Sequence, residues 1–162
     1  MKNILVPVDF SDQSNYAVEV AIDLAKKNNA TLLLLHCVEL PVRFVTESTS
    51  LFPEELYFMR NASLNMKNLS EKVISQGVSV KTKVETTSLV NTIKNLLEEE
   101  SADFIVMGST GATGSKELFI GSNAEKIVRT SPIPVLVIKD KTDISQVKKI
   151  VFACDFSKKY AE

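Results

Sequence analysis

Four of the five glycines in this 162-residue sequence lie between Gly108 and Ser122, in the stretch GSTGATGSKELFIGS. Gly108 directly follows an apolar run, and Gly121 and Ser122 directly precede a segment with helical spacing. A glycine loop between a strand and a helix lets backbone N–H groups point into one concavity, and the helix N-terminus adds partial positive charge. This arrangement suits a phosphate group and needs no cluster of basic side chains.

The same spacing also fits a structural interpretation. Ser122 and Glu125 form an S-x-x-E capping box, in which Ser122 simply caps its helix, and glycines can shape a loop that holds no ligand. The stretch is not a Walker loop, because no Gly-Lys-Ser/Thr follows at the right spacing, and a dinucleotide fingerprint would open the first crossover rather than the fourth. From the residues alone, ligand binding and loop shaping both stay open.

Two more polar residues stand at the ends of apolar runs. Asp9 follows residues 4–8, and His36 lies near the end of residues 31–38. Asp9 is suited either to a ligand or Mg²⁺ ion, or to capping the turn into the first helix. His36 is the sole histidine, so no nucleophile–base pair of the histidine kind is visible. We interpret it as a hydrogen-bonded residue at a strand end.

Short apolar runs alternate with segments of helical spacing, and these elements must position the polar residues. Strands are predicted at 4–8, 31–38, 78–84, 104–107 and 134–138, with helices after Ser11, around Pro53, after Thr87 or Ser88, and after Gly121. The pattern predicts a parallel sheet with helices on both faces. Ligands bind such sheets beyond the carboxyl ends of the strands, where Asp9 and the glycine stretch are expected.

Composition is that of one ordinary globular domain. The net charge is −1 and 44% of the residues are apolar, which does not favour a nucleic-acid or membrane surface as the partner. The first residues read as a strand rather than a signal peptide. We expect a cytoplasmic protein.

Residues 148–157, KKIVFACDFS, repeat residues 2–11, KNILVPVDFS, at an offset of 146 (155 − 9). The Lys, Ile and Asp-Phe-Ser positions are identical, and those between stay mostly apolar. We therefore predict one domain over residues 1–141, followed over 142–162 by a linker and the truncated start of a second repeat. The alternative is a chance resemblance in a C-terminal edge strand.

The glycine stretch and its flanks resemble the universal stress protein family. The resemblance rests on Met107-Gly108-Ser-Thr-Gly111, a nine-residue spacer that contains Gly114, Gly121-Ser122, and the segment PIPVLV at 132–137. The ends of the first two predicted strands fit the same family. The resemblance spans residues 2–139 and implies a Rossmann-like α/β fold: a five-stranded parallel sheet of order 3-2-1-4-5, with helices on both faces.

The resemblance also implies an ATP-binding module, with Mg²⁺ beside the nucleotide. The sequence offers no obvious general base, so we expect at most weak ATPase activity. Cys37 stands where the family often has valine, and Asn123 where an aliphatic or small residue is more common. The implied contacts form three groups, for the adenine, the ribose and the phosphates in turn: Pro7, Val8, Asp9 and Cys37; Met107, Gly108 and Ser109; Gly111, Gly121, Ser122 and Asn123.

Two alternative functions stay beside ATP binding. The first is a dimerisation or partner-docking module with a vestigial glycine loop, since family members pair through the fifth strand. Here that strand would be Val135, Leu136, Val137 and Ile138, and it predicts a homodimer. The second is an enzyme that adenylates a substrate, which usually carries a Ser-Gly-Gly-x-Asp-Ser loop after strand one. Asp9-Phe10-Ser11 has no glycine there, which argues against this enzyme.

Overall fold

The computed structural model describes residues 1–38, 53–110 and 120–151. The elements alternate strand and helix along the chain. The strands are β1 (Asn3–Pro7), β2 (Thr31–Cys37), β3 (Val80–Glu85), β4 (Phe104–Gly108) and β5 (Val135–Ile138). The helices are α1 (Asp12–Asn28), α2 (Pro53–Ser75), α3 (Leu89–Glu99) and α4 (Ser122–Thr130), followed by a short 3-10 helix, Ile144–Gln146.

The five strands form one parallel sheet in the order β3-β2-β1-β4-β5, as the resemblance implied. β1 is central: Asn3 pairs with Thr31 of β2, and Ile4 with Phe104 of β4. The edge position expected for the third strand, in which valines alternate with lysines, is confirmed. The order places the carboxyl ends of β1 and β4 side by side.

Both faces of the sheet are covered by helices, which explains why its central strands are almost continuously apolar. Ile4, Val6 and Leu34 pack with α1 and α2 in one buried cluster, called here the first cluster. Leu5 and Ile105 pack with α3 and α4 in the second cluster. Alternate residues of one strand therefore face different helix layers, a separation that matters at the candidate site.

Local signals set most helix ends. Ser11 is the N-cap of α1, and its side chain accepts a hydrogen bond from the Ser14 N–H. Asn29 ends α1 in the left-handed conformation, with φ 52°. The N-cap of α3 is Ser88 rather than Thr87, although its side chain makes no capping bond.

The apolar residues at helical spacing in α2 predict one buried stripe: Leu56, Met59, Ala62, Met66, Leu69 and Val73. Ala62, Met66 and Val73 are buried as expected, but Leu56 is 52% exposed, so the prediction is wrong at the start of the helix. A helix of 23 residues is about 35 Å long, whereas a strand of 7 residues such as β2 spans about 23 Å. The first turns of α2 therefore extend beyond the sheet that the later turns cover.

After β5 the chain makes the short 3-10 helix, and Ile144 packs against the first cluster. Residues 147–151 have no helix or strand. The rest of the predicted second repeat, including Asp155, lies outside the described residues. In the described ranges, no helix has the length and apolarity needed to cross a membrane.

Candidate functional site

The turn between β1 and α1 is held by side chains that follow one another in sequence. The Asp9 carboxylate accepts hydrogen bonds from the Ser11 N–H at 3.0 Å and from the Ser11 hydroxyl at 2.6 Å. Ser11 in turn caps α1 through Ser14, at 3.2 Å. Asp9 therefore makes the turn-stabilising contacts that one of its two interpretations predicted, and it does so at the carboxyl end of the central strand.

Phe10, inside this turn, has a left-handed backbone with φ 64°, which is unusual for an aromatic residue. Its ring lies 4.6 Å from the His36 ring, centre to centre. His36 Nδ1 is 2.7 Å from the Val8 carbonyl oxygen, and because a carbonyl only accepts, Nδ1 carries the proton and donates. His36 is thus a hydrogen-bonded strand-end residue, as interpreted, and with the apolar packing it holds Phe10 in place.

Gly108 ends β4 and touches the beginning of α1. A Cβ atom placed on Gly108 would lie 2.9 Å from the Gln13 carbonyl carbon and 3.0 Å from the Ser14 nitrogen. Both neighbours are backbone atoms of the first helical turn, which have little freedom to retreat. Helix packing therefore gives a reason for glycine at this position that does not depend on any ligand.

The two ends of the glycine stretch meet through backbone hydrogen bonds. The Ser109 N–H donates to the Ile138 carbonyl at 2.8 Å, and the Ser109 carbonyl accepts from the Gly121 N–H at 2.7 Å. Ser109 itself is buried. Gly111 and most of the spacer, including Gly114, lie outside the described residues. The stretch therefore leaves and returns to the sheet at the same point, beside the end of β5.

The capping box predicted for α4 is wrong. Gly121 is the N-cap, and Ser122 is the first helical residue and makes no capping bond. Because Ser122 is already helical, its hydroxyl cannot reach the N–H three residues on as a cap does. Glu125 lies 3.3 Å from Arg129 instead. The Gly121 N–H already donates to the Ser109 carbonyl. Gly121 can therefore let a ligand come close to the backbone, but its own N–H is not available to that ligand.

Two helix N-termini therefore meet at the carboxyl end of β4. The first turn of α1 touches Gly108, and the N-cap of α4 is bonded to Ser109. Ser122 and Asn123, at the start of α4, are exposed, and first-turn N–H groups have no partner within their helix. Partial positive charge from two helices at one point favours an anionic group there.

The side chains implied for the adenine and the ribose divide between the two faces of the sheet. Val8, implied for the adenine, packs in the first cluster, whereas Cys37, also implied for the adenine, and Met107, implied for the ribose, pack against or in the second. Their side chains therefore cannot line one wall. The Val8 N–H donates to the Leu35 carbonyl at 2.8 Å, and its carbonyl accepts from His36. A ligand at Val8 could still donate a hydrogen bond to that carbonyl, which has a second lone pair. Pro7 is buried and has no N–H, so it offers a ligand no backbone donor.

The described part of the chain contains no preformed set of protein ligands for a metal ion. No group of three or more His, Cys, Asp and Glu side chains is placed there to hold a metal ion. Magnesium is commonly bound by one or two carboxylates together with phosphates of the substrate. Asp9, at the end of β1, is one carboxylate at this edge that such a shared site could use.

The chain matches the universal stress protein family over residues 1–139. Universal stress protein MJ0531 of Methanocaldococcus jannaschii is 31% identical over 140 residues, which cover 85% of this chain and 82% of that protein. Universal stress protein YxiE of Bacillus subtilis is 30% identical over 144 residues, covering 84% and 97%. The similarity thus extends over 82% of one relative and 97% of the other.

Solved structures agree with the fold. MJ0577 of Methanocaldococcus jannaschii superposes with a TM-score of 0.74 at 30% identity, covering 88% of this chain and 98% of that one. UspA of Lactobacillus plantarum superposes with a TM-score of 0.70 at 27% identity, covering 85% of this chain and 97% of that one. A universal stress protein of Archaeoglobus fulgidus superposes with a TM-score of 0.61 at 27% identity; the match covers 85% of this chain but only 44% of that longer one.

Two more distant neighbours were solved with adenine nucleotides. A universal stress protein in complex with cAMP has a TM-score of 0.63 at 21% identity, covering 85% of this chain and 96% of that one. A universal stress protein from Archaeoglobus fulgidus in complex with dAMP has a TM-score of 0.64 at 18% identity, covering 86% of this chain and 98% of that one. At these identities the likeness concerns the fold.

Proposed function

The chain belongs to the universal stress protein family, and from this premise we propose that it binds an adenine nucleotide, ATP, at the carboxyl edge of β1 and β4. The observation that carries the proposal is the meeting of two helix N-termini at Gly108 and Ser109. Neighbours of the same fold in complex with cAMP and dAMP support the choice of adenine nucleotides.

The phosphates occupy the glycine-rich side of this edge. Ser122 and Asn123 present the first turn of α4 to solvent, and that turn supplies N–H donors and partial positive charge to an anion. Gly111 and Gly121 let the ligand approach the backbone closely. The adenine lies toward the turn that follows β1, where Asp9 is, and the ribose lies between them near Gly108.

Magnesium would enter with the nucleotide. The phosphates and bound water would supply its oxygen ligands, since the described residues hold no group of three or more metal-ligating side chains, and Asp9 is assigned to the adenine end. The chain's own part is to bind and orient: Asp9 is already fixed by Ser11. We therefore assign a stress-response or signalling role through cytoplasmic nucleotide binding, with slow or no hydrolysis.

Titration calorimetry with Mg-ATP tests this proposal. The wild-type chain should bind, and Gly111→Val with Gly121→Val should weaken binding at least about tenfold, since each added side chain fills space the phosphates need, and tenfold is about 1.4 kcal/mol. Ser79→Val, at an exposed position before β3, is the matched control and should bind like the wild type.

Two results contradict the proposal. If calorimetry detects no heat of ATP binding and mass spectrometry finds no nucleotide in the purified protein, the proposed function is contradicted. If the double-valine variant binds ATP as tightly as the wild type, the proposed site is contradicted, and the nucleotide binds elsewhere on the protein.

A second function, self-association or partner docking through β5, is favoured by a separate observation. β5 is an edge strand made of Val135, Leu136, Val137 and Ile138, and its first three side chains are only half-buried. Apolar edge strands without charges invite pairing with another chain. Light scattering should find a homodimer whose mass is unchanged by ATP, and a monomer at high concentration would contradict this function.

A further inference from the structure

The strands β1 and β2 stay joined past the last pair of their ladder, and a side chain makes the final connection. Pro7 pairs with Leu35, and the Val8 N–H still donates to the Leu35 carbonyl at 2.8 Å. The next group along the chain, the Val8 carbonyl, accepts from His36 Nδ1 at 2.7 Å. The imidazole of His36 therefore fastens the point at which the chain leaves the sheet and enters the turn between β1 and α1.

The same imidazole supports the residue at the centre of that turn. Phe10 has a left-handed backbone, with φ 64°, which is unfavourable for an aromatic residue and persists only where surrounding contacts hold it. Its ring lies 4.6 Å from the His36 ring, with 41° between the two planes, and it also packs against the first cluster. Because His36 is itself fixed by its bond to Val8, its ring gives Phe10 a stationary surface.

Phe10 lies between the two residues whose side chains make the turn. The carboxylate of Asp9, which precedes it, is bonded to the N–H and hydroxyl of Ser11, which follows it, at 3.0 and 2.6 Å. A bond between residues two apart requires the backbone between them to keep one conformation. The left-handed state of Phe10 therefore fixes where the Asp9 carboxylate is held at the carboxyl end of β1.

We propose that His36 is a positioning residue for the nucleotide: through Val8 and Phe10 it holds the adenine half of the site in its binding geometry. The inference rests on the proposed ATP binding, in which the adenine lies toward this turn. A turn that is already ordered costs less free energy to bind a ligand. The phosphate half is held separately, since the Gly121 N–H is bonded to the Ser109 carbonyl at the end of β4.

Calorimetry with Mg-ATP and with inorganic tripolyphosphate separates the two halves. His36→Leu removes the donor and the aromatic ring at a half-buried position, and it should raise the dissociation constant for ATP at least about tenfold. The dissociation constant for tripolyphosphate should stay within about twofold of the wild-type value, because distant sites act independently. His36→Asn returns an N–H donor without the ring, so its ATP affinity should lie between those of His36→Leu and the wild type.

Val73→Ala is the control for a loss of stability alone. Val73 is 0% exposed in the first cluster, near the C-terminal end of α2, so the variant leaves a cavity in the core and does not alter the turn. It should bind both ligands like the wild type. If it weakens ATP binding as much as His36→Leu does, the role of His36 is only structural and the inference is overturned.

Hydrogen exchange in the absence of nucleotide measures the turn directly. The Ser11 amide, which is bonded to Asp9, should exchange at least about tenfold faster in His36→Leu than in the wild type, because the turn opens more often. Amides in the first turn of α4 should keep their wild-type rates. Equal protection of the Ser11 amide in the two proteins would overturn the inference.

The results also distinguish this inference from the proposed function. If the wild type and His36→Leu bind ATP equally well, nucleotide binding stands and His36 does not position it. If His36→Leu loses affinity for ATP and tripolyphosphate to the same extent, the imidazole supports the whole site, and its assignment to the adenine half is wrong. A wild-type chain that binds no ATP contradicts the proposed function, and the inference with it.

Discussion

Gly108 shows how one residue can satisfy a packing requirement at the edge where a ligand is expected. Its missing side chain allows the first turn of α1 to approach β4, with Gln13 and Ser14 at 2.9 and 3.0 Å from where a Cβ would be. Ser14 is also the residue that Ser11 caps. The position of α1, the Asp9 turn and the end of β4 therefore depend on one another.

Gly108→Ala should lower the free energy of unfolding by about 1–3 kcal/mol, because the new methyl group forces the backbone of α1 away. Urea unfolding of the variant and the wild type measures the loss. Gly77→Asn is the control: Gly77 has φ +80° and open space around its Cβ position, and asparagine tolerates that conformation. An alanine variant as stable as the wild type would show that α1 yields without strain.

At this scale the sequence predicts contacts between near neighbours and misses those between distant ones. The capping of α1 by Ser11 was predictable, because the bond spans three residues. The contact of Gly108 with α1 was not, since about 95 residues separate the partners and only the assembled sheet brings them together. The left-handed Phe10 was also missed, because tertiary packing holds it there.

At the scale of elements, Asp103 fastens the amino ends of β1 and β4. Its carboxylate accepts hydrogen bonds from the backbone N–H groups of Lys2 and Asn3, and its own N–H donates to the Asn3 carbonyl at 2.9 Å. The N–H donors of Lys2 first, and then of Asn3, hold the pKa of Asp103 below its ordinary value. The charged form is therefore favoured by the folded state.

This pKa shift predicts the direction of a pH dependence. In the unfolded chain Asp103 has a pKa near 4, and the folded value is lower, so its contribution to stability is present above about pH 4 and is lost as pH falls through the folded pKa. Asp103→Asn should destabilise the protein at pH 7 and show a smaller difference from the wild type below pH 3.

Urea midpoints between pH 2 and pH 7 measure this effect. Asp23→Asn, which removes an exposed carboxylate on α1, is the matched control and should follow the wild-type curve. A constant gap between Asp103→Asn and the wild type across this range would assign the role of Asp103 to packing or neutral hydrogen bonding instead.

Elements were predicted well where a pattern extends over many residues and poorly where it rests on a few. The order of strands and helices followed from repeated apolar spacing, and the valine–lysine alternation indicated the edge strand. The capping box at Ser122 failed because S-x-x-E also fits a helix that begins one residue earlier. The exposure of Leu56 depends on the length of α2 relative to the sheet, which helical periodicity does not contain.

For the whole molecule, parallel topology made the general location of the candidate site predictable. All strands end at the same edge, so Asp9 and Gly108 had to be near each other once β1 and β4 were neighbours. The assignment of side chains to one ligand was less secure. Val8 lies on one face of the sheet and Cys37 on the other, so one adenine cannot contact both of these side chains along a single wall.

The unlike edges of the sheet also set a limit on assembly size. Lysine–carboxylate pairs line β3, whereas β5 is apolar. Each subunit therefore has one sheet edge that can accept a further strand. Once β5 is covered, the edges left outside are the charged ones, which discourage a third sheet from joining. With the proposed association through β5, the same asymmetry would terminate growth, and concentrated protein is expected to stop at a discrete complex rather than extend into a fibre.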